Sequence, residues 1–346
     1  MKTALLLFTA IAVAAFAESP STFTDTFLGE PFQVESYDAG TEKQYRASLV
    51  HYPFSKAADT TTGHQQEKPR ASILYIHGFN DYFFQRELAE KIDSAGYSFY
   101  AIDLHAYGRS FQEGEKLGAL REIKEYYAEI DSAIKKIRLA EGDSTKLVIL
   151  GHSTGGLIAS LYASDNDNGK DLAAIVLNSP FFEMNYPWIV RTAGVSFFSF
   201  IGSIFPATPI PKSNNANYGI SLYKHAKGEW DFDTTLKKLG SISIDMGWLH
   251  AIHGGHIRIQ KGLQLSLPIL VMHSSCSYKD TEWSDLYERC DGVLNVEHIV
   301  KFGANLGSNV TLEQIEDGLH DLFLSHEPAR GNAYRAMFQF LEKNIR

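Results

Sequence analysis

The feature that most constrains the fold is a repeated alternation of short apolar segments with amphipathic ones. Segments with strand character lie at residues 71–76, 98–102, 146–150, 172–177, 268–272 and 310–315. Segments with helical periodicity lie at residues 84–95, 120–139, 154–163 and 327–343. Most of the strand segments are apolar throughout, which indicates that both faces of the sheet are buried. The pattern predicts an α/β fold with a mostly parallel central sheet flanked by helices.

Composition excludes one class of partner. The chain of 346 residues carries 32 Lys and Arg against 41 Asp and Glu, a formal net charge of −9, and its basic residues are scattered. A nucleic-acid-binding surface needs a concentrated basic patch, so we expect no nucleic-acid partner.

The first residues have the pattern of a secretory signal peptide. Lys2 precedes an uncharged apolar run at residues 4–16, and Ala15 and Ala17 fit a small-residue cleavage site. We predict a signal peptide over residues 1–17, a mature chain that begins at Glu18 and a secreted or periplasmic protein without a stable membrane span. The alternative is an uncleaved anchor, although the run is short for a bilayer.

The chain has two cysteines, Cys276 and Cys290. In an exported protein such a pair is predicted to form a disulfide, and the alternative is two unrelated buried thiols. Two cysteines do not make a structural zinc site. Three histidines at helical spacing, His250, His253 and His256, could in principle bind a metal, but we interpret them as an ordinary helix face. We therefore expect no metal or other cofactor.

The alternation breaks between residues 181 and 250, which we predict to be an inserted helical cap between two parts of the core, residues 18–180 and 251–346. Within this stretch, helical periodicity places apolar residues on one face of a predicted helix and polar residues on the opposite face. The apolar face comprises Val190, Gly194, Phe197, Ile201 and Phe205. It is predicted to line a substrate pocket, and the alternative is a core helix.

Residues 151–156 read GHSTGG and stand between a predicted strand and a predicted helix. A Gly-x-Ser-x-Gly sequence in this context indicates a nucleophile on a sharp turn, with its hydroxyl above the sheet. We therefore predict Ser153 as a catalytic nucleophile. The backbone N–H of Thr154, at the start of the helix, is predicted to donate to an oxyanion.

Further motifs follow in a fixed order along the chain. Residues 77–79 read HGF after a strand, residues 103–110 read DLHAYGRS, and residues 318–322 read GLHDL. Over about residues 70–345 the chain resembles the α/β-hydrolase superfamily, within it the capped monoacylglycerol lipase and lysophospholipase group, also called serine aminopeptidase-like hydrolases. It departs from the group's pattern at His105, where an arginine is usual. The resemblance implies the α/β-hydrolase fold and a second oxyanion donor, the N–H of Phe79.

The remaining catalytic residues are a base and an acid. In α/β-hydrolases the acid and then the histidine follow the serine along the chain. His320, in a loop after a predicted strand, is the predicted base, with His326 as the rival. By resemblance Asp291, which leads into a predicted helix, is the predicted acid, and Asp280 and Asp285 compete with it.

These residues predict an exported serine esterase that cleaves a small-molecule acyl ester, such as a monoacylglycerol or a lysophospholipid, through a Ser-His-Asp triad and an acyl-enzyme. A peptidase or an acyltransferase could use the same triad. A binding protein without catalysis on a hydrolase scaffold is the alternative outside enzymes.

Overall fold

A computed structural model describes residues 21–41, 45–55, 68–213 and 215–345. The predicted signal peptide and most of a polar connection at residues 56–70 lie outside these ranges. Within them one sheet runs through the molecule. Its strands are, in chain order, β1 (Ser21–Phe23), β2 (Gln33–Ala39), β3 (Tyr45–Tyr52), β4 (Ser72–Ile76), β5 (Ser98–Asp103), β6 (Leu147–His152), β7 (Ala174–Asn178), β8 (Ile269–Ser274) and β9 (Val310–Ile315).

The sheet confirms the predicted mostly parallel architecture. The spatial order is β1-β2-β3-β5-β4-β6-β7-β8-β9. Strand β1 pairs antiparallel with β2, β2 with β3, and β3 with β5, whereas every pair from β5 to β9 is parallel. Parallel strands end at the same edge, so the loops after β4, β6, β8 and β9 are brought to one side of the sheet.

Helices cover both faces of the sheet. They are α1 (Arg86–Ser94), α2 (Tyr127–Glu141), α3 (Thr154–Asp165), α4 (Val195–Ile204), α5 (Asn217–Leu222), α6 (Met246–Gln260), α7 (Val296–Gly303) and α8 (Ala329–Asn344). The helix predicted from residue 120 begins at Tyr127, after a short 3₁₀ turn at Ile123–Tyr126. Within the described ranges, none of the helices combines the length and the apolar character that crossing a bilayer requires.

The core consists of two apolar layers, one on each side of the sheet. One layer packs α2, α3 and α6 against the strands, and the other packs α1 and α8 against the opposite face. Strands β4 to β8 are buried at every position, as their apolar sequences predict. Strand β9 is the exception, because it forms the exposed edge of the sheet.

Helices α4, α5 and α6 lie in the chain between β7 and β8. Helix α6 runs through residue 250, so the predicted boundary between cap and core falls inside a helix. Helix α6 begins where the side chain of Asp245 accepts a hydrogen bond from the backbone N–H of Trp248, which satisfies a donor that a helix start leaves unpaired.

The prediction for the apolar face over residues 190–205, which includes α4 and the turn before it, is partly wrong. Val190 and Gly194 line a cavity, but the side chains of Phe197 and Phe205 are 60% and 61% exposed. The helix packs on α6 through small residues instead: a Cβ at Gly202 would lie 2.0 Å from the carbonyl oxygen of Met246. Small side chains allow two helices to approach closely, so the large apolar ones are left on the outer faces.

Candidate active site

Ser153 occupies a sharp turn between β6 and α3. Its backbone has φ 52° and ψ −115°, a conformation that is costly for a residue with a side chain. The turn is fixed from both sides, because its N–H donates to the carbonyl of Asn178 at 3.0 Å and its carbonyl accepts from Phe181 at 3.0 Å. The strand–turn–helix context predicted from residues 151–156 is therefore present, with the strained backbone typical of a nucleophile elbow.

The glycines of this turn permit a backbone approach that a larger residue would block. A Cβ at Gly155 would lie 2.1 Å from the carbonyl oxygen of Ile76, and one at Gly151 would lie 2.6 Å from that of Gly155. The turn is thus pressed against strand β4, next to the loop that follows it. That loop comes equally close, since a Cβ at Gly78 would lie 3.0 Å from the Cβ of Ser153.

His320 lies in the loop after β9 and is 3% exposed. The hydroxyl of Ser153 donates a hydrogen bond to Nε2 of His320 over 2.9 Å. On the other side of the ring, the Nδ1–H of His320 donates to Oδ2 of Asp291 over 2.8 Å. A carboxylate only accepts hydrogen bonds, so it holds the proton of a neutral imidazole on Nδ1 and leaves Nε2 free to accept. The rival His326 instead pairs with Glu229 at 2.8 Å.

The structure also separates the three competing aspartates. Asp291 is 1% exposed, and its Oδ1 accepts from the N–H groups of Val293 and Leu294 at 2.8 and 2.7 Å. Asp280 is exposed, and its carboxylate accepts from the N–H of Thr281, which follows it in the chain. Asp285 is also exposed. Of the three, Asp291 is the one that contacts His320 in the described part of the chain.

A disulfide joins Cys276 to Cys290 beside this acid. The N–H of Asp291 donates to the carbonyl of Cys276 at 2.9 Å, and its own carbonyl accepts from Tyr278 at 2.9 Å. The crosslink therefore closes the loop between β8 and α7 at the residue before Asp291. Closing such a loop restricts the unfolded chain and so stabilises the fold.

The two residues predicted to supply the oxyanion donors lie close to Ser153. Thr154 is the first residue of α3, and Phe79 follows the close approach at Gly78. Within the ranges that the structure covers, neither backbone N–H has a hydrogen-bond acceptor. Both residues line the cavity that contains Ser153 and His320, so their N–H groups can serve a bound ligand.

A cavity of about 570 Å³ leads to Ser153 between the core and the segment that contains α4 and α5. Its volume is in the range of sites for small organic ligands. Large apolar side chains form much of its wall, namely Phe79, Phe181, Met184, Val195, Phe198 and Trp248. Such a wall binds an alkyl chain by removing it from water.

Sequence reasoning missed a buried polar network behind His320. Asp321 is fully buried, and its two carboxylate oxygens accept from the side-chain amides of Asn178 and Gln85, each over 2.7 Å. The ring of His152 packs against that of His320 at 4.9 Å, and burial lowers the pKa of His152. A neutral ring at this position does not repel a positive charge that develops on His320. The adjacency of Asp321 to the histidine in GLHDL was the available signal.

The three histidines of α6 bond separately to nearby groups. His250 contacts the Oγ of Ser199 at 3.2 Å, and His253 contacts the Oγ of Ser196 at 3.3 Å. His256 bonds to the carbonyl oxygen of Phe181 at 3.0 Å. Across the part of the chain that the structure describes, no group of three or more metal-ligating side chains converges.

Comparisons with known proteins agree with this architecture. A family model described as serine aminopeptidase, S33, matches residues 67–328. The phospholipase YtpA of Bacillus subtilis is 32% identical over 115 residues, which cover 33% of this chain and 42% of that protein. A monoacylglycerol lipase of Mycolicibacterium smegmatis is 27% identical over 212 residues, which cover 59% of this chain and 69% of that protein.

Solved structures show the same fold at low sequence identity. A soluble variant of monoglyceride lipase from Saccharomyces cerevisiae superposes with a TM-score of 0.67 and 14% identity, over 88% of this chain and 94% of that one. A monoacylglycerol lipase of Paleococcus ferrophilus gives 0.59 and 18%, over 80% and 96%. The predicted superfamily and group are confirmed. The chain belongs to the serine aminopeptidase S33 family of α/β-hydrolases, and it is a serine hydrolase that resembles esterases and lipases.

Proposed function

We propose that this protein hydrolyses carboxylic esters of apolar acyl chains, with Ser153 as nucleophile, His320 as general base and Asp291 as the acid that orients it. The observation that carries the proposal is the unbroken series of hydrogen bonds from Asp291 through His320 to Ser153. Ser153 and His320 line a largely apolar cavity. Esters of this kind include monoacylglycerols and lysophospholipids. The relatives named phospholipase and monoacylglycerol lipase support this choice.

The mechanism follows from the geometry. Nε2 of His320 takes the hydroxyl proton while Oγ of Ser153 attacks the ester carbonyl carbon. The imidazolium that forms is stabilised by the buried carboxylate of Asp291 at 2.8 Å. His320 then protonates the leaving alcohol, which departs and leaves the acyl group on Ser153. Water attacks the acyl-enzyme with the same base, and the carboxylic acid is released.

The negative charge on the former carbonyl oxygen needs donors that are already in place. We assign this role to the N–H groups of Phe79 and Thr154, because both residues line the cavity that contains Ser153. Each donor of this kind lowers the barrier by roughly 2.7–4 kcal/mol. The dipole of helix α3, whose N-terminus is at Thr154, adds to the stabilisation.

The test is hydrolysis of p-nitrophenyl esters from acetate to palmitate. Burying one methylene is worth about 0.8 kcal/mol, so kcat/KM is expected to rise by up to about four-fold per methylene until the cavity is full. Replacing Gly194 with leucine adds an apolar side chain at the cavity wall, where a Cβ would meet only Val190, at 3.6 Å. We expect this variant to prefer shorter acyl chains, whereas leucine at the exposed neighbour Ala193 leaves the preference unchanged.

Three results would count against an acyl-ester hydrolase. A rate independent of chain length would mean that the cavity does not hold the acyl chain. Hydrolysis of peptide p-nitroanilides by a protein that leaves every ester intact would favour the peptidase alternative, and binding without turnover would favour a binding protein.

We further propose that the protein is exported, to the periplasm or the medium. The residues that support this are the signal-peptide pattern over residues 1–17 and the disulfide between Cys276 and Cys290. The intact mass of protein recovered outside the cytoplasm is expected to match a chain that begins at Glu18 with both thiols oxidised. A mass that retains the first 17 residues would contradict cleavage.

A further inference from the structure

The loop that carries one oxyanion donor is held from two sides. We call residues 77–82 the oxyanion loop. Its first residues are fixed by the core, because Nε2 of His77 accepts from the N–H of Leu104 at 3.1 Å and Gly78 packs against Ser153. Its later residues are fixed by a distant part of the chain, residues 233–240, which we call the cap segment.

Asn80 makes the central contacts with the cap segment. Its Nδ2 donates to the carbonyls of Lys238 and Gly240 at 2.8 and 3.1 Å, and its Oδ1 accepts from the N–H of Lys238 at 3.2 Å. Its backbone has φ 59°, in the left-handed region. Asparagine tolerates this conformation better than most residues. A strained residue with three side-chain bonds to one segment depends on that segment for its conformation.

The two residues after Asn80 are attached to the same segment. The carboxylate of Asp81 pairs with the ammonium of Lys237 at 2.8 Å, and the hydroxyl of Tyr82 accepts from the N–H of Asp233 at 2.9 Å. Asp81, Lys237 and Tyr82 are 2%, 6% and 1% exposed. Loss of one partner of a buried ion pair leaves an uncompensated charge, which is costly. We therefore expect these contacts to form together when the cap segment packs on the loop.

Phe79 lies between the two anchors. It lines the cavity, and the loop around it is fixed by His77 and Gly78 on one side and by Asn80 on the other. Its ring packs on that of Trp248 of α6 at 4.8 Å. An oxyanion donor acts only if it is held where the charge develops, and a displacement of about 1 Å can cost about 100-fold in rate.

Building on the proposed function, we propose that the cap segment positions the oxyanion donor of Phe79, with Asn80 as the positioning residue that links the two. The oxyanion hole is then complete only while residues 233–240 are docked on the oxyanion loop. The cap segment, part of which lines the substrate cavity, would thereby also determine whether the acyl group can react.

The test replaces Asn80 with glycine, which accepts φ 59° without strain and removes the three side-chain bonds. We expect kcat for p-nitrophenyl esters to fall about 10- to 100-fold with KM changed by less than about two-fold. Inhibition by an alkyl trifluoromethyl ketone, whose adduct places an oxyanion in the hole, should weaken by the same factor as kcat/KM. Inhibition by the free fatty acid should not change.

Controls separate this effect from a general loosening of the cap. Arg121→Gln removes bonds of 3.0 and 3.1 Å to Asp245 without touching the oxyanion loop, and it should retain the wild-type kcat. If Asn80→Gly does not fold, Tyr82→Phe decides, since it removes only the bond to Asp233; we expect kcat and ketone inhibition to weaken together by about three- to ten-fold.

Folded variants that keep wild-type kcat and wild-type ketone inhibition would overturn the inference, and so would equal weakening of ketone and fatty-acid inhibition. Ser153→Ala is measured beside them. If wild type hydrolyses esters and Ser153→Ala does not, those results bear on the positioning of Phe79 alone. Wild type without Ser153-dependent hydrolysis would overturn the proposed function, and this inference with it.

Discussion

Replacement of Ser153 by alanine is expected to lower kcat for ester hydrolysis by about 10⁴- to 10⁶-fold, the scale on which loss of a triad nucleophile acts. The loss is large because the variant lacks the hydroxyl that His320 activates: Nε2 of His320 bonds to Oγ of Ser153 at 2.9 Å. The measurement is p-nitrophenolate release at saturating substrate, with the variant purified from a host that lacks the wild-type gene.

A serine in α3, the helix that follows Ser153, provides the matched control. Ser160 is also buried, but its hydroxyl donates to the carbonyl of Gly156 at 2.8 Å and takes no part in the triad. Ser160→Ala should therefore keep the wild-type rate. Both variants should retain the thermal transition of wild type within a few degrees, because alanine keeps the Cβ. A folded Ser153→Ala protein with more than about 1% of the wild-type rate would be incompatible with a covalent mechanism at this residue.

The second large effect is expected for Asp291→Asn, about 10⁴-fold in kcat. Asparagine retains an oxygen to accept from Val293 and Leu294, so the loop keeps its conformation. Its amide nitrogen, however, meets Nδ1 of His320, which must then accept a hydrogen bond instead of donating one. The imidazole is held in the wrong tautomer, and Nε2 no longer serves as the base.

Asp280→Asn is the comparison that identifies the acid. Asp280 lies in the same stretch between β8 and α7, but it is exposed and bonds to its own neighbours. We expect its replacement to change kcat by less than about two-fold, as for a surface polar residue. A large loss in Asp280→Asn together with a nearly active Asp291→Asn would reverse the assignment. Circular dichroism of both variants excludes unfolding as the cause.

The sheet and the serine turn could be predicted because their signals are local. Strands buried on both faces have apolar sequences, and a turn at which Gly155 lies against the carbonyl of Ile76 requires a glycine at a fixed distance from the serine. The position of His320 followed from the same logic, since the strand before it ends at the edge where Ser153 lies.

Other features depend on contacts between distant parts of the chain. Local sequence alone does not separate Asp291 from Asp280, because burial beside His320 depends on how the whole loop folds. Which side chains of α4 are exposed depends on the close packing of Gly202 against Met246. The apolar periodicity of the helix does not predict this contact. The ion pair of Asp81 and Lys237 joins residues that are 156 positions apart in the chain. The local sequence around either residue does not predict that the two are partners.

The most direct test of the central claim is the covalent labelling of Ser153. Incubation with diethyl p-nitrophenyl phosphate should release one equivalent of p-nitrophenolate, abolish esterase activity and add one diethylphosphoryl group per chain. Peptide mapping by mass spectrometry should locate that group on Ser153, and Ser153→Ala should take up none. Full esterase activity in protein labelled at Ser153, or inactivation with the group on another residue, would contradict a mechanism that proceeds through an ester on Ser153.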